Sequence, residues 1–382
     1  ETLAKPWGGD TIPEDYHFGL LDPDWEHFKI FWEAAIKRVP SMEKSGINRF
    51  YVSAESFTPD NNYLMGEAPE VKNFFVAAGL NSSGIAAGPG VGKAVAEWIV
   101  AGYPTMDLTE VDISRFSTFH NSPKFLKDRI TERVGSVYDM HWPHLQPKTA
   151  RNIRKSPLHL YHQQNGACFG EHAGWERPNW YAPPGFEPVM EYSYGKQNWF
   201  DYSASEHKSV RNNIGLFDQT AFAKFILAGN DSEDVLQNIC ANNLAVQVGS
   251  VVYTAMLNDR GGIEADITVT RLAIDEYMIV TSSATATRDM NWIKTNIPKG
   301  AHCFLTDVTS SYAVLGVMGP KSRELLNKLV DIDMSNEKFP YMSAKYMYLG
   351  YVRVLGLRVS YVGELGWELY IPVESAINVY ES

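Results

Sequence analysis

Three short stretches hold residues whose types and spacing could do chemistry. The first is Gly261-Gly262-Ile263-Glu264-Ala265-Asp266-Ile267-Thr268-Val269. Two glycines make a turn. Strand alternation then puts Glu264, Asp266 and Thr268 on one face, with Ile263, Ile267 and Val269 toward the other. A carboxylate on an otherwise apolar sheet is costly to bury without a partner. The stretch is therefore either a solvated strand face or a carboxylate aimed into a cavity. The second is Tyr361-Val362-Gly363-Glu364-Leu365-Gly366-Trp367-Glu368-Leu369-Tyr370. Its glycines bracket a tight turn that returns Glu368 toward Tyr361. A stacking tyrosine and a carboxylate that accepts two N–H groups suit the edge of an aminopyrimidine; a plain hairpin with edge charges is the alternative. The third is Asn81-Ser82-Ser83-Gly84-Ile85-Ala86-Ala87-Gly88-Pro89-Gly90-Val91-Gly92-Lys93. Small residues between a strand and a helix let backbone N–H groups approach an anion or a flat ring. It is not a Walker loop, because Ala87 and Ala94 replace the required glycine and the Ser/Thr that would hold Mg²⁺. It is not G-x-G-x-x-G either, since Lys93 takes the third glycine. Close helix–strand packing is the alternative.

Other chemistries find little support. His141 and His144 are three apart, as are His159 and His162, but a zinc site needs three or four protein ligands. We expect no metal. No Ser-His-Asp or Cys-His signature stands out. No basic run interleaved with aromatics is present, so nucleic acid is not an expected partner.

The positioning elements fall into three zones. The first runs to Asp107. Its spacing predicts a helix over Asp24–Val39, strands at Arg49–Ser53 and Phe74–Ala78 (the latter buried), and a helix over Lys93–Ala101 stopped by Gly102 and Pro104. The second, 108–165, is polar and helix-leaning, with Trp142 and Pro143 arguing against a helix there. The third, from Gly166, mixes strands and helices. It predicts strands at Lys224–Leu227, Val251–Leu257, Ile263–Arg271, Tyr277–Thr281, Tyr348–Val354, Arg358–Tyr361 and Trp367–Ile371, with a hairpin-like turn at Asn258–Gly262. Such mixing suggests an α/β or α+β domain.

Composition bounds the rest. The chain has 382 residues, 45% hydrophobic and 21% charged, enough to bury a core without staples. Its net charge of −11 argues against a whole-chain match to nucleic acid or an anionic membrane. Cys168, Cys240 and Cys303 are too scattered for a disulfide framework. No run of ~18 apolar residues predicts a membrane span. Glu1–Trp7 reads as neither a signal nor a transit peptide. The chain lacks an initiator Met and stops at Val379–Ser382 inside a helical pattern, so we read it as an internal fragment.

Taken together, these segments resemble a known family. Glu55-Ser56-Phe57-Thr58-Pro59-Asp60, Leu64-Met65-Gly66-Glu67-Ala68-Pro69 and Phe75-Val76-Ala77-Ala78-Gly79-Leu80-Asn81-Ser82-Ser83-Gly84-Ile85 resemble the late part of the flavin domain of sarcosine and dimethylglycine dehydrogenases. Asp112 through Arg151, with Ser114-Arg115-Phe116, resembles their central domain. His172-Ala173-Gly174-Trp175-Glu176-Arg177-Pro178 and all that follows resembles their folate-binding half, which is similar to the aminomethyltransferase of glycine cleavage. The resemblance implies a multidomain α+β fold. Residues 1–107 would be the C-terminal piece of a FAD-dependent, D-amino acid oxidase-like domain. Residues 108–165 would be the central domain, and 166–382 a truncated aminomethyltransferase-like domain.

It also implies FAD-dependent oxidative demethylation of sarcosine or dimethylglycine. The one-carbon unit would go to tetrahydrofolate and electrons to the electron-transferring flavoprotein, in the mitochondrial matrix if the source is eukaryotic. Implied FAD contacts are Thr58, Pro59, Asp60, Ser83, Gly84 and Ile85. The aspartate of the G-G-I-x-x-D pattern falls on Asp266, which would hold a folate nitrogen and stabilise a cationic iminium. Tyr253, Tyr361 and Glu368 fall on positions resembling pterin contacts. Leu216-Phe217-Asp218-Gln219-Thr220-Ala221-Phe222 replaces the Ser-His of the aminomethyltransferase, a departure that argues against amine transfer from a lipoyl arm. Glu67 through Gly79 equally resembles the regulatory subunit of pyruvate dehydrogenase phosphatase. That alternative implies a non-catalytic role and the phosphatase catalytic subunit as partner.

Overall fold

The computed structural model describes residues 12–17 and 19–382. The Glu1–Trp7 stretch lies outside them. The chain divides into two compact units. One holds 12–17, 19–66, 75–111 and 130–139 of the described residues; the other holds 67–74, 112–129 and 140–382.

The first unit contains helix α1 (Trp25–Arg38), and Asp24 caps it by accepting from the His27 N–H. Strands β1 (Leu64–Glu67) and β2 (Phe75–Ala78) pair, and helix α2 (Gly84–Ala101) follows. Met65, Val91 and Ala94 form its small core. Three sequence expectations are corrected here. Arg49–Ser53 is extended without a ladder, and its Val52 carbonyl accepts from the Leu21 N–H. Strand β2 is half-exposed rather than buried. Helix α2 begins nine residues before Lys93, so most of the glycine stretch is itself helical, with Pro89 inside. Packing of Val91, Ala94 and Trp98 overrides the weak propensity of those glycines.

Helices α3 (Pro123–Gly135) and α4 (His159–Gln164) come next. Strands β3 (Ala167–His172) and β4 (Trp175–Tyr181) form an antiparallel pair. Helix α5 (Phe200–Asn212) leads to strands β5 (Gly215–Asp218) and β6 (Ala223–Ala228), then helix α6 (Ser232–Ile239). Strands β7 (Val251–Leu257), β8 (Ile263–Ala273) and β9 (Glu276–Thr281) follow as a meander. Helix α7 (Ala286–Asn296), strands β10 (Phe304–Asp307) and β11 (Tyr312–Met318), and helix α8 (Ser322–Leu329) come before the last hairpin. That hairpin is β12 (Ala344–Leu349) and β13 (Val352–Leu357), followed by β14 (Gly366–Pro372) and helix α9 (Ala376–Glu381).

These strands make two five-stranded sheets in the orders β10-β6-β9-β8-β7 and β12-β13-β14-β11-β5. Side chains alternate between two cores along each strand. On β9, Tyr277 and Ile279 join α6 and α7 on the outer face, while Met278 and Val280 meet the other sheet. On β14, Trp367, Leu369 and Ile371 point outward with α8 and α9, while Tyr370 points between the sheets. The expected strand over Tyr348–Val354 is two strands joined at Gly350 and Tyr351, where Gly350 takes a positive φ of 57°. Arg358–Tyr361 is not a strand; it leads into a loop, and the Arg358 guanidinium bonds to the Phe339 carbonyl and Asn336 instead.

Candidate functional site

The antiparallel register of β7 and β8 sets Ala255 opposite Asp266 and Tyr253 opposite Thr268. Tyr253 and Asp266 are therefore diagonal neighbours, a separation that a tyrosine side chain can span. The Tyr253 hydroxyl donates to Asp266 Oδ2 at 2.9 Å. That bond, with the carboxylate charge, pushes the Tyr253 phenol above its ordinary pKa, and Tyr361 is close enough to add to the effect. Ala265, Ile267 and Val269 are buried in the outer core, so Asp266, Thr268 and Thr270 lie on the face turned toward the second sheet. The expected alternation holds except at Ile263, which is 72% exposed. Asp266 is exposed and Tyr253 is 58% exposed, and the carboxylate does not line the cavity under the Tyr361–Gly366 turn, so it stands on a solvated strand face rather than aimed into a cavity.

Glu368 sits on β14, opposite Gly316 of β11, and shares the inter-sheet face with Tyr370. It is half-buried, and burial pushes its carboxyl up; the buried Tyr370 hydroxyl opposes this by donating to Oε2 at 2.9 Å. The structure thus joins Tyr253 to Asp266 and Glu368 to Tyr370, and brings Tyr361 within electrostatic reach of Tyr253. All four stand on, or on the turn leading into, the faces that the two sheets present to each other.

Two further residues belong to these faces. Gln219 Oε1 is buried without a protein partner, and a Cβ at Gly316 would stand 2.7 Å from it. Thr270 Oγ1 is likewise buried and unpartnered, at the next position of the Glu264, Asp266, Thr268 series. Thr270 could have been read from that alternation. Gln219 could not, because its place depends on β5 pairing with β11.

A second group lies in the first unit. Thr58 is 3% exposed; its N–H donates to Asn81 Oδ1 at 2.8 Å and its hydroxyl to the Asn62 carbonyl at 2.7 Å. Asp60 Oδ1 accepts from the Asn62 N–H, and the Pro59 carbonyl from Arg133 Nε. Asn81 Nδ2 returns to the Gly79 carbonyl at 2.7 Å. Gly79 has a φ of +64°, and a Cβ there would stand 2.7 Å from Thr58 Cγ2. These contacts bring the Thr58-Pro59-Asp60 turn against the Gly79–Ser83 turn. Ser83 starts α2 with no side-chain cap, so the first helical N–H groups at Gly84 and Ile85 have no partner within the helix. Ile85 is 99% exposed beside them. An oxyanion or a polar ring edge fits this backbone.

The histidines have other partners. His162 Nε2 lies 2.9 Å from Asp218 Oδ2, and its Nδ1 lies 2.8 Å from the Tyr181 hydroxyl. His159 is buried against Phe169. Among the described residues, no three His, Cys, Asp or Glu side chains gather as a metal site, and no helix is long and apolar enough to cross a membrane.

Comparison with known proteins gives three family matches. Residues 158–382 match the family described as GCVT N-terminal domain, 101–156 that of FAD dependent oxidoreductase central domain, and 6–98 that of FAD dependent oxidoreductase. The chain is 45% identical over 98% of its length to 4-methylaminobutanoate oxidase (formaldehyde-forming) of Paenarthrobacter nicotinovorans. It is 36% identical over 99% of its length to human mitochondrial sarcosine dehydrogenase. It is 35% identical over 94% of its length to the mouse mitochondrial pyruvate dehydrogenase phosphatase regulatory subunit. It spans less than half of each of these relatives: 45%, 46% and 42%.

Proposed function

We propose, because this chain belongs to the GCVT-domain family in the domain order of the sarcosine and dimethylglycine dehydrogenases, that it is part of a FAD-dependent enzyme oxidising an N-methyl amino acid and passing the one-carbon unit to folate. Its three parts are a flavin piece at 1–107, a central domain at 108–165 and a folate-binding piece at 166–382. The Tyr253–Asp266 pair on the inter-sheet face carries the reading. FAD, when bound, supplies the hydride acceptor, and tetrahydrofolate the acceptor for the one-carbon unit.

This chain's own groups do the rest. The Asp266 carboxylate, held by the Tyr253 hydroxyl, accepts an N–H of the folate, and it stabilises positive charge on the iminium of the oxidised substrate once bound folate covers this exposed side chain from water. Glu368, steadied by Tyr370, accepts from the pterin edge. The exposed Tyr361 ring offers a stacking face. In the flavin piece, the Thr58-Pro59-Asp60 turn and the backbone of Ser83, Gly84 and Ile85 contact FAD. Electrons pass to the electron-transferring flavoprotein, and for a eukaryotic source the location is the mitochondrial matrix.

The relatives' names support an N-methylated amino acid, from sarcosine and dimethylglycine to 4-methylaminobutanoate. The test is anaerobic mixing of the purified full-length protein with each of the three. We expect a yellow protein that bleaches with one of them. A second reading, regulation of a phosphatase, is favoured by similarity to the regulatory subunit. A colourless or unbleached protein that binds the phosphatase catalytic subunit would replace the enzyme by that reading.

A further inference from the structure

Below the Tyr361–Gly366 turn lies a cavity of about 300 Å³, lined by Tyr341, Arg358, Val359, Ser360, Gly363, Glu364, Leu365 and Gly366. That is at the small end of ligand-site volumes. Arg358 is 8% exposed. Its Nη1 donates to the Phe339 carbonyl at 2.7 Å and its Nη2 to Asn336 Oδ1 at 2.7 Å, both neutral acceptors. Its Nε has no partner, and neither does the buried Ser360 Oγ. No carboxylate lies within ion-pair distance of Arg358 among the described residues. Two charges act on it from beyond ion-pair distance: Arg323 opposes its charged form, and the cavity-lining Glu364 supports it; both guanidinium groups lie over the Trp367 ring.

A buried guanidinium with a free donor and no carboxylate at ion-pair distance is costly. An anion in the cavity removes that cost, and charge-assisted bonds are the strong ones. Both residues line the cavity, and each keeps one unused donor, an N–H and an O–H. A carboxylate presents two oxygens, one for each. We propose that this cavity is a carboxylate subsite, with Arg358 Nε–H and Ser360 Oγ–H as the donors. The carboxylate has two possible carriers: a free small acid, or the glutamyl end of a pteroylglutamate reaching past the Tyr361 turn. Only the second carrier rests on the folate reading above; the donor pair stands without it.

The test titrates the full chain with sodium acetate, with 4-aminobenzoylglutamate, and with sodium chloride at matched ionic strength. Binding is followed through the Arg358 Nε–Hε resonance, assigned by its loss in Arg358→Lys. We expect that resonance to move on adding acetate and to stay still in chloride. Arg358→Lys keeps the charge but removes the Nε–H at this position, and should weaken acetate binding at least tenfold. Ser360→Ala leaves no protein acceptor or donor unpaired, so it should fold as the parent does and weaken acetate binding about threefold. If 4-aminobenzoylglutamate binds at least tenfold tighter than acetate with the same dependence on both residues, the tethered acid is the carrier; equal affinities assign the free acid. A resonance that ignores both carboxylates, or follows chloride equally, overturns the subsite. So does acetate binding that is unchanged in Ser360→Ala and Arg358→Lys.

Discussion

Replacing Tyr370 by Phe removes a hydroxyl that steadies the Glu368 carboxylate. The ring keeps its place between the sheets, where Tyr370 is 1% exposed, so no cavity opens. What is lost is the donation to Oε2 at 2.9 Å. A hydrogen bond to a charged group contributes ~1.5–3 kcal/mol, against ~1 kcal/mol for a neutral pair. Burial already holds the Glu368 carboxyl above its usual range, and Tyr370 works against burial. With a raised native pKa, Glu368 favours the fold when protonated. That contribution is complete below the unfolded carboxylate range and is lost as pH rises through the native value. Removing the Tyr370 hydroxyl raises the native value further. The variant therefore loses ~1.5–3 kcal/mol at pH 8 but only ~1 kcal/mol once Glu368 is protonated. Domains of roughly 150–250 residues lose roughly 2–4 °C of melting temperature per kcal/mol, which gives a drop of roughly 3–12 °C at pH 8. Thermal and urea unfolding of parent and variant from about pH 4.5 to 8 measure this. A gap that is constant with pH, or wider in acid, would refute the reasoning.

Other outcomes follow from the same structure. Lys224 is fully buried, with Nζ donating to the Thr220 and Phe222 carbonyls, and burial lowers its pKa to about 8. Its neutral form favours the fold, so stability should rise between pH 8 and 10; Lys224→Met should flatten that rise in urea titrations. Glu176 is 4% exposed; burial raises its pKa, but the Arg151 guanidinium and the Asn152 N–H outweigh this and hold it low. Arg151→Met leaves the carboxylate uncompensated and should cost ~3–5 kcal/mol at pH 7, falling in acid as Glu176 protonates, as read by urea midpoints. Asn81 has a φ of 47° and ties Thr58 to Gly79. Asn81→Ala should speed limited proteolysis within 55–85 while cleavage after residue 166 stays unchanged.

The meander of β7, β8 and β9 was legible because local alternation and the Asn258–Gly262 turn agree with the sheet that forms. Asp266 could be put on a face from that pattern alone. Its bond to Tyr253 could not, because a cross-strand diagonal depends on register. The Tyr348–Val354 run looked continuous because its apolar and aromatic residues hide the bend at Gly350 and Tyr351. The glycine stretch looked like a loop because propensity says nothing about the packing that Val91, Ala94 and Trp98 gain in the folded unit. Gln219 and Tyr370 entered the site through pairing across ~100 and two residues respectively, and only the second is visible in a local window.

The proposed role of Asp266 has a direct measurement. In the full-length protein, Asp266→Asn keeps the volume of the side chain and removes its charge beside Tyr253. Flavin reduction by the N-methyl substrate and formation of methylene-tetrahydrofolate are measured in the same preparation. The account predicts at least a tenfold loss of the folate product, or ~1.4 kcal/mol, with the rate of flavin bleaching within about twofold of the parent. Equal yields of folate product in parent and variant would contradict it.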